Sequence, residues 1–193
     1  MSVDRENAWA LLNEYTQSES LVRHMLAVEA AMRAYARKLD EDEDLWGVTG
    51  LLHDFDYERW PNPDLDETGH PFTGVAVLRD QGYPEEMLDA IMGHALYSGI
   101  ARETPLAKAL FAVDELCGFV MAVAYVRPEN LTGMKPKSVK KKLKDKAFAA
   151  AVSRDDIRLG IEEMAVDQDE HIQTVIDAMH GIAGKLGFGS GAA

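Results

Sequence analysis

Residues Ser18–Leu39 read SESLVRHMLAVEAAMRAYARKL. Leu21, Met25, Val28, Met32 and Tyr35 recur at steps of three and four, which puts them on one stripe of a long helix. Ser18 or Ser20 is placed to cap its start, because a hydroxyl oxygen can accept from the free N–H groups of a first turn. His24 stands three residues after Leu21 and four before Val28, so it shares the inward stripe. A lone histidine there is either a core side chain bonded to a carbonyl or a ligand turned toward an internal site.

The same helical spacing extends outward in both directions. Asp4–Tyr15 reads as a short first helix. Asp42 or Asp44 starts a third, running through Leu45, Val48, Leu51 and Leu52 to His53. Residues Tyr57–Gly69 carry Pro61, Asn62, Pro63 and Gly69 and read as a loop. Pro71 is expected in the first turn of a helix ending near Asp80, before the Gln81-Gly82-Tyr83-Pro84 break. Pro84 opens another through Leu88, Ile91 and His94. Thr104-Pro105 opens an apolar helix ending near Val126, closed by Arg127-Pro128. Two or three more helices are expected between about Lys137 and Leu186, and Gly187–Ala193 reads as a frayed tail. Alternating strand patterns are scarce and no internal repeat is visible. The expectation is an all-α, single-domain helical bundle over 1–193, with a core at about 18–126 and C-terminal helices at about 137–186 packed on it.

Composition narrows the function classes. The 193 residues suit one domain, and 47% hydrophobic content is that of a globular protein. With 20 basic and 33 acidic residues the net charge is −13, which disfavours general binding to a nucleic-acid duplex. The single cysteine, Cys117, lies in an apolar run and has no internal partner, which points to a reducing compartment and a cytoplasmic location. No signal-peptide core follows Met1, and Asp114 and Glu115 interrupt the most apolar stretch, Ala107–Val126, so no membrane partner is expected. One local exception is basic: seven lysines against Asp145 between Lys135 and Lys146. Lys137, Lys141 and Lys144 fall on one side of a helix. They are either a solvated face or a surface for a substrate phosphate.

Several polar residues sit where apolar ones are expected. His53-Asp54 follows the apolar run Val48–Leu52 at a helix end, where both side chains can leave the core and face a cavity. Imidazole nitrogen and carboxylate oxygen bind borderline divalent metals, and one carboxylate can bridge two. Asp114 is flanked at helical spacing by Leu110, Phe111, Cys117 and Gly118, so it is expected to be buried. A buried carboxylate requires a cation, either a metal or an arginine such as Arg102 or Arg127. His94 lies three residues after Ile91, and His70 stands at a helix start, as a cap or as a ligand. His171 and His180 lie beside the last helix's stripe and are expected to be peripheral. There is no nucleophile elbow and no Walker phosphate loop. Gly187-Phe188-Gly189 follows a helix instead of a strand, so it is no nucleotide fingerprint.

The order His24, His53-Asp54, Asp114 resembles the H…HD…D signature of the HD superfamily of metal-dependent phosphohydrolases, over roughly Leu21 to Val126. The intervening His70 and His94 resemble the subgroup that holds two metals. The stretch His70-Pro71-Phe72-Thr73-Gly74-Val75-Ala76-Val77-Leu78 is similar to the corresponding helix of HD-GYP and HDIG-type members, and the whole chain to a bacterial and archaeal branch of predicted hydrolases. The resemblance implies an HD-type bundle and one or two divalent transition metals (Fe, Mn, Zn, Co or Ni). It implies one metal on His24, His53, Asp54 and Asp114, with Asp54 bridging to a second on His70 and His94. It also implies His53 and Asp54 as catalytic residues and a small phosphorylated substrate, a nucleotide above all, cleaved by metal-activated water. Asp56, Glu58 or Glu115 would orient that water or carry a proton. Two departures matter. Phe55-Asp56-Tyr57 replaces the Ile-Gly-Lys of many relatives, and Gly82-Tyr83-Pro84 precedes His94, so cyclic-dinucleotide hydrolysis is not implied. The same ligand set also serves a di-iron oxygenase that cleaves C–C or C–P bonds. A non-catalytic nucleotide-binding module is the third reading.

Overall fold

The computed structural model describes residues 3–189. Among these there are nine α-helices and no strand. They are α1 Arg5–Tyr15, α2 Glu19–Leu39, α3 Glu43–Leu52, α4 Phe72–Asp80, α5 Glu85–His94, α6 Pro105–Tyr125, α7 Pro136–Leu143, α8 Arg154–Met164 and α9 Gln168–Gly181. A short 3-10 turn lies at Leu96–Ser98. Six starts are set by short polar side chains. Asp4, Ser18, Asp42, Thr104, Ser153 and Asp167 each accept from a backbone N–H of the turn that follows. Each such cap is worth about 1 kcal/mol. Pro71 and Pro84 stand one residue before α4 and α5, which have no side-chain cap.

The central element is α6, which packs against α2, α5, α7, α8 and α9. A helix surrounded in this way must be apolar on nearly every side, and Leu106, Leu110, Val113, Phe119 and Val120 are all buried. Against α2, α3 makes the closest approach. A Cβ on Gly50 would lie 3.0 Å from the backbone nitrogen of Glu29. Glycine at this position lets α3 sit deep, and its next residues are the His53-Asp54 pair. Glu29 of α2 is buried but satisfied: Arg5 Nε and Nη2 donate to it at 2.6 and 2.7 Å and Arg33 Nε at 3.0 Å, tying α1 to α2. Buried apolar residues from Ala8 to Phe188 form one cluster. Each large side chain among them contributes about 1.5–3 kcal/mol by leaving water.

Two expectations are corrected here. The segment after Leu186 does not begin as a frayed tail, since Phe188 is 8% exposed and its ring lies 4.9 Å from that of Tyr125. Its N–H donates to Ala183 O at 2.8 Å. The rest of that stretch, 190–193, lies outside the described residues. His171 is not peripheral. It is fully buried, takes the Tyr35 hydroxyl as a partner at Nδ1 and donates from Nε2 to Ala112 O at 3.1 Å. His180 is exposed, as expected.

Candidate metal centre

Five helices deliver six side chains to one point. His24 comes from the middle of α2, and His53 and Asp54 follow the end of α3. His70 precedes α4, His94 ends α5, and Asp114 lies midway along α6. The six fall into two groups, His24–His53–Asp114 and Asp54–His70–His94. Within each group one donor atom per residue lies within 4.8 Å of the others. Asp114 Oδ1 is 3.0 Å from His24 Nε2 and 3.4 Å from His53 Nε2. Asp54 faces both groups. Its Oδ1 is 3.3 and 3.4 Å from the Nε2 atoms of His70 and His94, and its Oδ2 is 3.6 and 4.0 Å from those of His53 and His24.

Three of the four imidazoles are anchored from behind. His53 Nδ1 donates to Gly50 O at 2.9 Å, and His94 Nδ1 donates to Ile91 O. A carbonyl only accepts, so the proton is on Nδ1 and Nε2 points inward. His70 Nδ1 is 2.7 Å from Asp56 Oδ1. This carboxylate–imidazole arrangement holds the ring and makes the far nitrogen more basic. Asp56 is 1% exposed, and its other oxygen accepts the Gly74 N–H at 2.9 Å. A Cβ on Gly74 would collide with that carboxylate, which explains the glycine in the His-Pro-x-x-Gly stretch.

The inward nitrogens lack partners suited to a neutral site. His53 Nε2 is buried with no hydrogen-bond partner. The Nε2 atoms of His70 and His94 face each other at 3.2 Å, an arrangement that needs a proton or a cation to mediate it. No lysine or arginine lies within 4.0 Å of Asp54, Asp56 or Asp114 among the described residues; each of their close charged partners is a histidine. Arg102 instead forks onto Glu163, and Arg127 bonds the carbonyls of Asn130 and Thr132. The arginine partner considered for Asp114 is therefore absent. Asp114 is also less enclosed than expected, its side chain being 18% exposed beside His24 at 20%.

The electrostatics follow from this composition. Burial pulls the His53 imidazolium down, but Asp54 and Asp114 outweigh it and push the group up to about 9. Burial pulls His94 down in the same way, and Asp54 outweighs it so that the net shift is upward. Burial pushes the Asp54 and Asp114 carboxyls up. The surrounding imidazoles, His53 first, hold both below the usual range. The cluster thus takes up a proton when it has no other cation.

The remaining candidates separate cleanly. Asp56 is engaged behind His70, and Glu58 accepts the backbone N–H groups of Gln17 and Ser18 at 3.0 and 2.8 Å. Glu115 is half-buried next to Asp114. Burial and that neighbour push it up to about 7, while its Oε2 accepts the Ser153 N–H at 3.1 Å. Lys137 and Lys141 on α7, and Lys144 just past its end, are exposed. None bonds one of the six residues, and the groove that reaches His24 includes none of them. The structure does not bring them to the centre. Sequence reasoning did not foresee that Asp56 anchors His70, and it missed two tyrosines at the rim. The Tyr57 ring lies 5.3 Å from that of His70, and the Tyr97 hydroxyl donates to His70 O at 2.6 Å.

The family model described as HD domain matches residues 21–118. Comparison with solved structures finds none that matches. No helix among the described residues is long and apolar enough to cross a membrane.

Proposed function

The chain belongs to the HD-domain family, most of whose members are metal-dependent hydrolases, and from that premise we propose that it hydrolyses phosphoric esters of a nucleotide or another small phosphorylated compound. One observation carries the reading: two three-residue donor groups share Asp54 between them, and the inward His53 Nε2 has no partner. A buried nitrogen left in this way costs about 1–3 kcal/mol. A divalent ion would remove that cost and neutralise carboxylates that no lysine or arginine reaches among the described residues.

The residues present fit such ions. His24, His53 and Asp114 would hold one, and His70 and His94 a second, with Asp54 offering one oxygen to each side. Nitrogen and carboxylate donors suit Fe, Mn, Zn, Co or Ni. Bound metals supply an acidified water and polarise a phosphoryl oxygen. The chain's own contribution is positional and protonic. The carbonyls of Gly50 and Ile91 and the Asp56 carboxylate fix the tautomers of His53, His94 and His70. Glu115, next in sequence to Asp114, has its carboxyl pushed up to about 7 by burial and by that neighbour, while its Oε2 accepts the Ser153 N–H.

The test is elemental analysis of gently purified protein, followed by a phosphoester panel with each metal, aerobically and anaerobically. One or two transition-metal ions per chain and metal-dependent phosphate release are expected. Absence of bound metal, with none taken up on soaking, overturns the reading. Oxygen consumption by the iron form without phosphate release assigns the centre to oxygenase chemistry. Nucleotide binding without turnover under every metal assigns it to a binding module.

A further inference from the structure

A groove of about 490 Å³ lies beside the candidate metal centre and shares His24 with it. His24 lines it together with Leu21, Tyr57 and Pro61, and Ser18, Ser20 and Glu58 supply the other polar walls. Ser20 and His24 are one helical turn apart on α2, so a side chain at position 20 points along the same wall as the ligand histidine. Tyr57 is 49% exposed and lines the groove, with its ring centroid 5.3 Å from that of His70 and the two rings steeply inclined. The groove holds no lysine or arginine, and its one charge is the Glu58 carboxylate.

These features together constrain what can lie there. A single phosphate at the centre would be met by the ions that His24 and its partners would hold. Any second or third phosphate would extend toward Glu58 and uncharged walls, with no cation to receive it. A flat, uncharged organic group finds Tyr57, Leu21 and Pro61 instead. Resting on the hydrolase reading above, we propose that this groove is the subsite for the substrate's organic portion. It selects phosphomonoesters bearing a flat, neutral group, with Tyr57 as the stacking platform, and discriminates against polyphosphates. Stacking of a base on an aromatic side chain accounts for roughly a tenfold or greater difference in binding.

The experiment uses metal-loaded protein. Calorimetry with adenosine, which cannot be hydrolysed, reads the subsite without turnover. Kinetics on adenosine 5′-monophosphate, adenosine 5′-triphosphate and glycerol 3-phosphate read the selectivity. Adenosine is expected to bind, and Tyr57→Ala to weaken it about tenfold at unchanged metal content. The monophosphate is expected to exceed both other esters in kcat/KM by at least about tenfold. Ser20→Arg places a cation in the groove and should narrow the gap between triphosphate and monophosphate. Adenosine that fails to bind, or binds Tyr57→Ala equally well, overturns the proposal, as does a wild-type preference for the triphosphate. Adenosine binding that depends on Tyr57, in a protein that hydrolyses no phosphoester, supports the subsite and rejects the hydrolase reading alone.

Discussion

His53 and His171 are both fully buried, yet they are opposite kinds of histidine. His171 has a partner at each nitrogen, the Tyr35 hydroxyl and the Ala112 carbonyl. Burial drives it down to about 4, so it is neutral. His53 has one partner, the Gly50 carbonyl, and its other nitrogen faces two carboxylates with no bond to either. Asp54 and Asp114 overcome burial and push it up to about 9. Burial alone therefore does not separate a packing histidine from a ligand. What separates them is whether the second nitrogen is satisfied, and by a neutral or an anionic neighbour.

The harshest way to break this contrast is to remove the shared carboxylate. Asp54→Ala is expected to abolish hydrolysis and most metal binding, and His53→Ala to abolish hydrolysis, with helicity near normal in both. Circular dichroism, elemental analysis and phosphate release check this, and an active Asp54→Ala enzyme would rule out the proposed centre.

A smaller effect is expected at His171, and its sign is opposite to that at His53. The unfolded imidazole takes up a proton near 6.5, whereas the folded one does so only near 4. Between those values the unfolded state binds more protons, so stability is lost as pH falls through the window, by about 3 kcal/mol. His53 in chelated protein works the other way. Its contribution is fully present below about 6.5 and is lost as pH rises through about 9. Urea melts of chelated protein from pH 7 to 4 should show an acid limb that His171→Gln flattens. An unchanged limb would mean that His171 is not held neutral.

The least effect belongs to the third kind of histidine. His180 is exposed and touches neither region, so His180→Ala should alter stability by no more than about 0.5 kcal/mol and leave metal content unchanged. A loss of metal in that variant would show that the chemistry extends beyond the six residues.

Features set by local chemistry were legible in the sequence. Ser18, Asp42 and Thr104 cap the helices they precede because a cap acts within one turn of chain. The stripe carrying His24 and the apolar surroundings of Asp114 singled out two side chains that the fold brings within 3.0 Å of each other. The misreadings concern contacts made over distance. Phe188 is held by Tyr125, on a helix that ends more than sixty residues earlier, so its segment read as a tail. His171 lies beside its own helix's apolar stripe yet is covered by α2 and α6. Asp56 looked like a free acid because its partner, His70, lies across a proline-rich loop. The lysine run had a helical face, but a face does not specify what it looks onto.

The close approach of Gly74 to Asp56 has a consequence for how this chain can vary. No side chain fits at 74 while the carboxylate occupies its place, and a shorter residue at 56 leaves the His70 ring without its anchor. Change at either position alone is therefore penalised. A side chain gained at 74 would push the Asp56 carboxylate from its place and loosen its hold on His70, so the two positions are expected to change together.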